Sequence, residues 1–592
     1  MQSAIRRHSQ IPSLVLPLLV FSALGACGDK PGEVPTDEGS GSHLVFADVA
    51  ADSALDFTPT CGDPRRWTIA ESNGTGAAWL DHDGDGDLDL FVGNGPQVEY
   101  VDDMASLALS YPEGTRLFAN LGALQFEDVT VDANARVDAW VNGVVVGDPD
   151  GDGDPDIYLT VLGDDVFLRN DAGRFENVPA SESGLENGYW GTGASFGDPD
   201  RDGDLDLYVA NYCLFDPAAP PAGGKRMDID GVQVGWGPEG ENEFGYNAGA
   251  PNAYFRNDGT GHFTEASEAA GLNLDRDWCS YAALFRDMDD DGWPEILVSN
   301  DVQPTNLFHN QGGGSFLERG LEMGFATDAD GKPTAAMGLF VADVDRDGDL
   351  DSLRTNFDFE ANGLFVNDGA GVFRELSART GLALASFERL GWGGGFFDAD
   401  LDGDLDLVVA NGHVMPQSEE IGMNPYLQQS QLFEGIQGDA ELPQWREVVA
   451  TEGSGFLPLR NSRGVAIGDP DDDGDLDLVI VDIDAPLRFL ENRSERHGDW
   501  IGLKLQGAAG NRDAIGARVT LTVGTGATAG SWTRELHRVD GLFSSHDPRL
   551  HFGIGDAGGA AITAEVRWPD GTTSTHGNLE AGRYQSIIAP QK

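Results

Sequence analysis

Basic residues are scarce: 37 Lys and Arg stand against 100 Asp and Glu in 592 residues, a formal charge of −63 at pH 7. A nucleic-acid partner needs a basic surface to neutralise its phosphates, so this composition argues against one. Cysteine is rarer still, with four in the chain, too few for a disulfide framework. Beyond the N-terminus no stretch is apolar enough to cross a membrane. Apolar residues are not short, however. Hydrophobic content is 40%, and the acids recur in short Asp/Gly clusters flanked by apolar runs. That pattern opposes a disordered acidic polymer.

The N-terminus reads as an export signal over residues 1–27, with Arg6 and Arg7 ahead of the apolar stretch from Ile11 to Leu24. It ends Leu24-Gly25-Ala26-Cys27, which resembles the lipobox of bacterial lipoproteins and would make Cys27 the lipidated residue. A cleaved signal with an incidental cysteine is the alternative. Residues 28–43 read as a flexible tether. The expectation is an exported lipoprotein, held by acyl chains at the outer membrane or cell surface, or in the periplasm. Of the remaining cysteines, Cys61, Cys213 and Cys279, one pair and one free thiol are possible, and spacing does not choose the pair.

One pattern, D-x-D-x-D-G-x-x-[D/E], occurs seven times, starting at Asp81, Asp148, Asp198, Asp287, Asp343, Asp398 and Asp469. The mean spacing of about 65 residues suits a four-stranded propeller blade. Runs such as GVVVG (143–147) and GLFVA (338–342) precede the loops, and LFVGN (90–94), LYVAN (207–211) and LVIVD (478–482) follow them. These are strands, so each loop joins a hairpin. A second motif, from LFAN (117–120) to FLEN (489–492), also occurs seven times and reads as a third strand. An aromatic-acidic motif follows six of those, at Phe126, Phe175, Phe263, Phe316, Phe373 and Trp445. The seventh copy, VFADVA (45–50), stands ahead of the first loop. Ring closure accounts for this: the strand around Phe46 supplies the fourth strand of the last blade and leaves no open edge. The prediction is a seven-bladed all-β propeller over 44–495. Insertions at 213–251, 95–114 and 412–430 are candidate binding loops.

Calcium takes six to eight oxygen ligands, and the loops offer them. Positions 1, 3 and 5 supply carboxylates, position 7 a backbone carbonyl, and position 9 a closing carboxylate. The candidate ligands are Asp81, Asp83, Asp85, Asp87 and Asp89; Asp148, Asp150, Asp152, Asp154 and Asp156; Asp198, Asp200, Asp202, Asp204 and Asp206. The fourth loop gives Asp287, Asp289, Asp291, Trp293 and Glu295. Then come Asp343, Asp345, Asp347, Asp349 and Asp351; Asp398, Asp400, Asp402, Asp404 and Asp406; and Asp469, Asp471, Asp473, Asp475 and Asp477. Position 6 is always Gly, where a sharp turn calls for positive φ. Soft ligands are missing from the loops, which disfavours zinc and copper. Up to seven Ca²⁺ ions are expected; acidic hairpin turns without metal are the competing reading, strongest for the fourth loop.

These loops resemble the FG-GAP repeats of integrin alpha subunits, and more nearly the cartilage acidic protein-like family, which joins such repeats to a C-terminal ASPIC/UnbV domain. The tail carries that likeness in HGDWIGLKLQG (497–507), NRDAIGARVTL (511–521), DPRLHFGIG (547–555) and VRWPDGT (566–572). The resemblance implies a calcium-binding extracellular protein of adhesion or matrix contact, with a protein or glycan ligand. NGHVMP (411–416) looks like a further family signature. The family often shows Cys-Gly-Pro in the long insertion, where this chain has Trp236-Gly237-Pro238, leaving Cys213 without that partner. Residues 499–590 alternate short strands with turns and predict a small β-sandwich. Its Arg512, Arg518, Arg534, Arg538 and Arg549 form either a patch for an anionic glycan or a face that docks on the acidic propeller.

No catalytic constellation emerges. Gly193-Ala194-Ser195-Phe196-Gly197 matches G-x-S-x-G but lies on a strand entering the third loop. Gly553 to Gly558 matches G-x-G-x-x-G without a following helix. His413 and His546 stand alone. The expectation is a monomeric binding protein. The alternatives are an enzyme acting on polysaccharide or peptide and a structural envelope or matrix protein.

Overall fold

The computed structural model describes residues 43–101, 106–215, 227–229, 232–234, 248–274, 277–436, 442–526 and 530–590. Cys27, the tether and most of the 213–251 insertion, including Trp236 to Pro238, lie outside them.

Seven four-stranded antiparallel sheets follow one another along the chain. The first is Ala77–Leu80, Asp89–Val92, Arg116–Asn120 and Phe126–Asp128, and an acidic loop joins its first two strands. The first strands of the next six are Val141–Gly147, Gly191–Gly197, Ser280–Arg286, Ala336–Ala342, Gly391–Phe397 and Ser462–Gly468. Each first strand packs against the first strand of the next sheet, and the seventh packs against the first. The sheets are therefore blades around a closed ring. The seventh blade takes its outer strand from the far end of the chain, where Phe46–Asp48 pairs antiparallel with Arg488–Asn492.

Blades converge at the axis, and the sequence meets that crowding with glycine. A Cβ on Gly143 would stand 2.6 Å from the Thr192 carbonyl oxygen of the next blade, and one on Gly393 2.7 Å from that of Arg463. Trp79, Trp140, Trp190 and Trp392 are fully buried, and Trp392 meets Tyr281 of the fourth blade and Arg463 of the seventh. Apolar burial of this kind contributes about 25 cal/mol per Å².

The C-terminal segment folds into two sheets. Leu550–Gly555, Asp499–Gln506 and Tyr584–Ile588 make one. Gly530–Glu535, Arg518–Val523, Ile562–Arg567 and Thr573–Leu579 make the other. Ile501, Leu503 and Phe552 of the first meet Val519, Leu521 and Val566 of the second in one apolar core, as a sandwich requires. The loop at 538–547 leaves this sandwich and enters the ring. Ser545 bridges Ala78, Gly541 bridges Leu339, and the Val144 amide donates to Phe543 O at 2.8 Å. Phe543 and Leu542 are buried in the propeller core. The sandwich thus plugs the channel that its own ring encloses.

Candidate metal centres

The seven acidic loops share one backbone shape. Position 4 is left-handed in each, at Gly84, Gly151, Arg201, Asp290, Arg346, Leu401 and Asp472, with φ between 57° and 74°. Position 6 glycines turn further, from 86° at Gly292 to 102° at Gly86. These two reversals coil the loop, so that carboxylates of positions 1, 3 and 5 converge. Those of Asp81, Asp83 and Asp85, and of Asp148, Asp150 and Asp152, offer ligand atoms within 4.8 Å of one another.

Internal hydrogen bonds set each carboxylate. The position 5 amide donates to position 3, as Asp152 does to Asp150 at 3.2 Å, and the position 7 amide to position 5, as Asp154 does to Asp152 at 2.9 Å. Gly153 donates to Asp148 Oδ2 at 3.0 Å, and Gly403 to Asp398 Oδ2 at 2.9 Å. The other oxygen of position 1 is left over. In Asp81, Asp148, Asp198, Asp287, Asp343 and Asp398, Oδ1 is buried and has no hydrogen-bond partner. A buried carboxylate oxygen without a donor costs free energy unless a cation or water meets it. The same atom orphaned six times fits a cation site that the fold prepares, and the all-oxygen set suits calcium.

Position 9, expected from the spacing to close the shell, also accepts hydrogen bonds from the backbone. One of its oxygens is held by a backbone amide, and in Asp156 the other is buried without a partner. Asp89, Asp156, Asp206, Asp351 and Asp477 accept from the amides of Asn120, Asn170, Asn257, Asn367 and Asn492 at 2.7–2.9 Å. The second oxygen of Asp89, Asp351 and Asp406 takes the amide of position 2 at 2.8–2.9 Å. Position 9 therefore ties the loop to the third strand, with only remaining lone pairs for an ion.

The asparagine ending the third strand, which the motif marks but whose role it hides, links blades. Asn257 Nδ2 donates to Pro149 O of the preceding loop at 2.6 Å and to Leu205 O of its own at 3.1 Å. Asn367 does the same to Met288 O and Leu350 O, and Asn120 to Pro470 O and Leu88 O. In the sixth blade Gly435 stands at this place, and Trp445 Nε1 donates to Leu405 O at 2.9 Å.

Burial raises the loop carboxyls. Desolvation pushes Asp148, Asp198 and Asp469 up to about 7, and Asp156 to about 9. Glu295 rises to about 8, also through burial. These acids resist ionising in the bare fold, and a divalent cation, if bound, would supply the charge that ionises them.

The sandwich sits on the loops. Arg512 donates to Asp152 O at 2.7 Å, Trp532 Nε1 to Gly403 O at 3.0 Å and His551 Nε2 to Gly474 O at 2.9 Å. Arg549 meets Asp469 O at 2.6 Å, Tyr584 OH donates to Asp469 Oδ2 at 2.8 Å, and Arg538 reaches Trp79 O at 2.6 Å. Arg534 is held between the charges of Asp343 and Asp398. Of the two readings of these arginines, the structure gives the docking face.

Of the candidate binding loops, 412–430 joins Asp406–Asn411 to Gln431–Ile436, at the strand ends opposite the acidic loop; most of 213–251 lies outside the described residues. His413 is buried, accepts the Met415 amide at 3.3 Å, and burial pushes it down to about 4. Cys61, Cys213 and Cys279 are buried, and no disulfide joins them among the described residues. Ser195 is buried within Gly191–Gly197, away from any strand-to-helix elbow, and Gly553 lies inside Leu550–Gly555.

Residues 287–354 match the FG-GAP-like repeat model, and residues 507–592 the ASPIC and UnbV model. Cartilage acidic protein 1 of Homo sapiens is 25% identical over 300 residues, covering 50% of this chain and 41% of that protein. The Xenopus tropicalis protein is 25% identical over 300 residues, covering 50% and 42%. The chain thus spans under half the length of these relatives. Among solved structures, the Dos1 propeller is 10% identical with a TM-score of 0.36, covering 76% of this chain and 96% of that one. The chain joins an FG-GAP-like repeat to an ASPIC and UnbV segment, the pairing of the cartilage acidic protein-like family, to which it is similar.

Proposed function

We propose that this protein is an exported, calcium-loaded adhesion or ligand-binding propeller, anchored through Cys27 and acting as a monomer. The observation that carries the metal is the repeated orphan Oδ1 of position 1, buried in six loops without a donor. The likeness to the cartilage acidic proteins supports an extracellular setting and a protein or glycan ligand. Because the sandwich rests on several acidic loops, ligand contact in this reading falls to the opposite face, with the 412–430 loop. In this reading calcium is structural: it neutralises loops whose acids would otherwise repel.

The test is the calcium content per chain together with the melting temperature before and after chelation. Each site with free calcium at 100 times its dissociation constant adds about 2.7 kcal/mol, so several sites shift melting by tens of degrees. One ion or none, with no shift, would remove the calcium reading. A glycan and protein array on the loaded protein then tests ligand binding; binding kept after the 412–430 loop is replaced by a short turn would count against that face.

A further inference from the structure

The fourth acidic loop has an arginine at its position 1 carboxylate. Its position 7 is Trp293 and its position 9 is Glu295. From the sandwich, Arg567 Nη2 ion-pairs with Asp287 Oδ2 and lies 3.1 Å from Asp290 Oδ1. Arg518 donates to Asp287 O at 3.2 Å and stands 3.5 Å from Asp290. From the loop's own blade, His309 Nδ1 lies 3.4 Å from Asp289 Oδ2 and 3.2 Å from Glu295 Oε1. Arg201, reaching over from the third loop, stacks on the Trp293 ring at 4.0 Å and meets Asp291 O at 3.4 Å.

Positions 1, 3, 4 and 9 therefore each face an Arg or a His of the protein. Among the described residues no other position 1 carboxylate has an arginine ion-pair partner. Asp287 keeps the orphan Oδ1 seen in five other loops, but its Oδ2 is taken by the Gly292 amide and Arg567. A divalent ion entering here would meet Arg567 and Arg518 at the same carboxylates and would have to expel them.

We infer that the fourth loop is not a calcium site but a clasp: Arg567, Arg518 and His309 fill it, and it fastens the C-terminal sandwich to the ring without metal. This rests on the calcium reading of the other loops. It also gives the acidic pattern two uses, metal binding in the other loops with an orphan position 1 oxygen and docking without metal in this one. The sandwich then stays seated when calcium is withdrawn.

Calcium per chain is counted by native mass spectrometry on the full protein saturated with CaCl2, comparing Asp289→Asn with Asp345→Asn, the same position in the fifth loop. The expected result is one ion fewer in D345N and the wild-type count in D289N. Loss of an ion in D289N overturns the inference. No loss in either variant defeats the calcium reading itself, and with it the contrast between the loops. The clasp has its own readout, hydrogen exchange of residues 539–546 in excess chelator. Wild type and Arg567→Lys should stay protected, and Arg567→Gln should exchange at least tenfold faster. Equal protection in R567Q overturns the clasp.

Discussion

Asn257 shows how much one side chain does at a blade junction. Its Nδ2 satisfies carbonyls on two blades, and its Oδ1 accepts from Gly259 at 3.1 Å. Replacing such a residue by Ala strands two buried carbonyls, each worth about 1–3 kcal/mol. Asn367→Ala should therefore lower unfolding stability by about 2–4 kcal/mol in urea titrations; a change below 0.5 kcal/mol, on the scale of a surface substitution, would show that the ladder does not hold the blades. The motif alone marked the asparagine as the end of a strand. Its carbonyl partner belongs to the preceding repeat, so periodicity could not reveal the bond. A second residue-scale prediction concerns His546, whose Nδ1 accepts from the Ile467 amide at 3.0 Å while Nε2 donates to Asp540 O at 3.1 Å. Burial pushes it down to about 4, with Asp540, Arg286, Arg538 and Asp547 as its charged neighbours. The ordinary value is about 6.5, so between these values the unfolded chain binds the extra proton. Stability from this group is complete above pH 6.5 and is lost as pH falls toward 4. His546→Gln should thus gain on wild type by about 2–3 kcal/mol on acidification over that window, measured in chelator. Parallel pH profiles would refute it.

At the scale of elements, the loop at 538–547 is the largest departure from what spacing suggests. In sequence it is a connection between two strands of a small domain. In the fold it touches the first strands of the first, second, fourth, fifth and seventh blades, through Ser545 and Ala78, Phe543 and Val144, Val539 and Arg286, Gly541 and Leu339, and His546 and Ile467. Gly76 has to be glycine because a Cβ there would strike the Phe543 carbonyl. Phe543→Ala removes a side chain that is 2% exposed and should cost about 3–5 kcal/mol. Limited proteolysis should then release the sandwich while the ring stays intact; simultaneous loss of both would mean that ring and plug are one cooperative unit. The strand Phe46–Asp48 is the contrasting case. A missing aromatic-acidic motif after 489–492 and a surplus copy at 45–50 point to a strand lent across the closure, and Phe46–Asp48 lies against Arg488–Asn492.

Over the whole molecule, charge dominates. A net −63 is held on one chain, with acids concentrated on the loop face beneath the arginines of the sandwich. Self-repulsion at this density is screened by salt, with a Debye length near 10 Å at 0.1 M. In chelator the melting temperature should rise with NaCl, whereas the calcium-loaded protein should respond weakly over the same range. Equal salt responses in the two states would place the repulsion outside the loops.

The all-β propeller was legible in the sequence because a hairpin loop, a third-strand motif and an aromatic fourth strand recur in register. Local hydrogen bonding and apolar inner strands buried along their whole length write that pattern into each repeat. The loop carboxylates were legible for the same reason, as a convergence over nine consecutive residues. The sequence did not reveal which oxygens remain free, that position 9 is held by amides of the third strand, or that Arg567 enters the fourth loop from 280 residues away. Those facts depend on which distant groups arrive beside a carboxylate once the ring closes and the sandwich docks. Only the tertiary structure decides that, because burial and pairing are properties of packed neighbours rather than of a repeat.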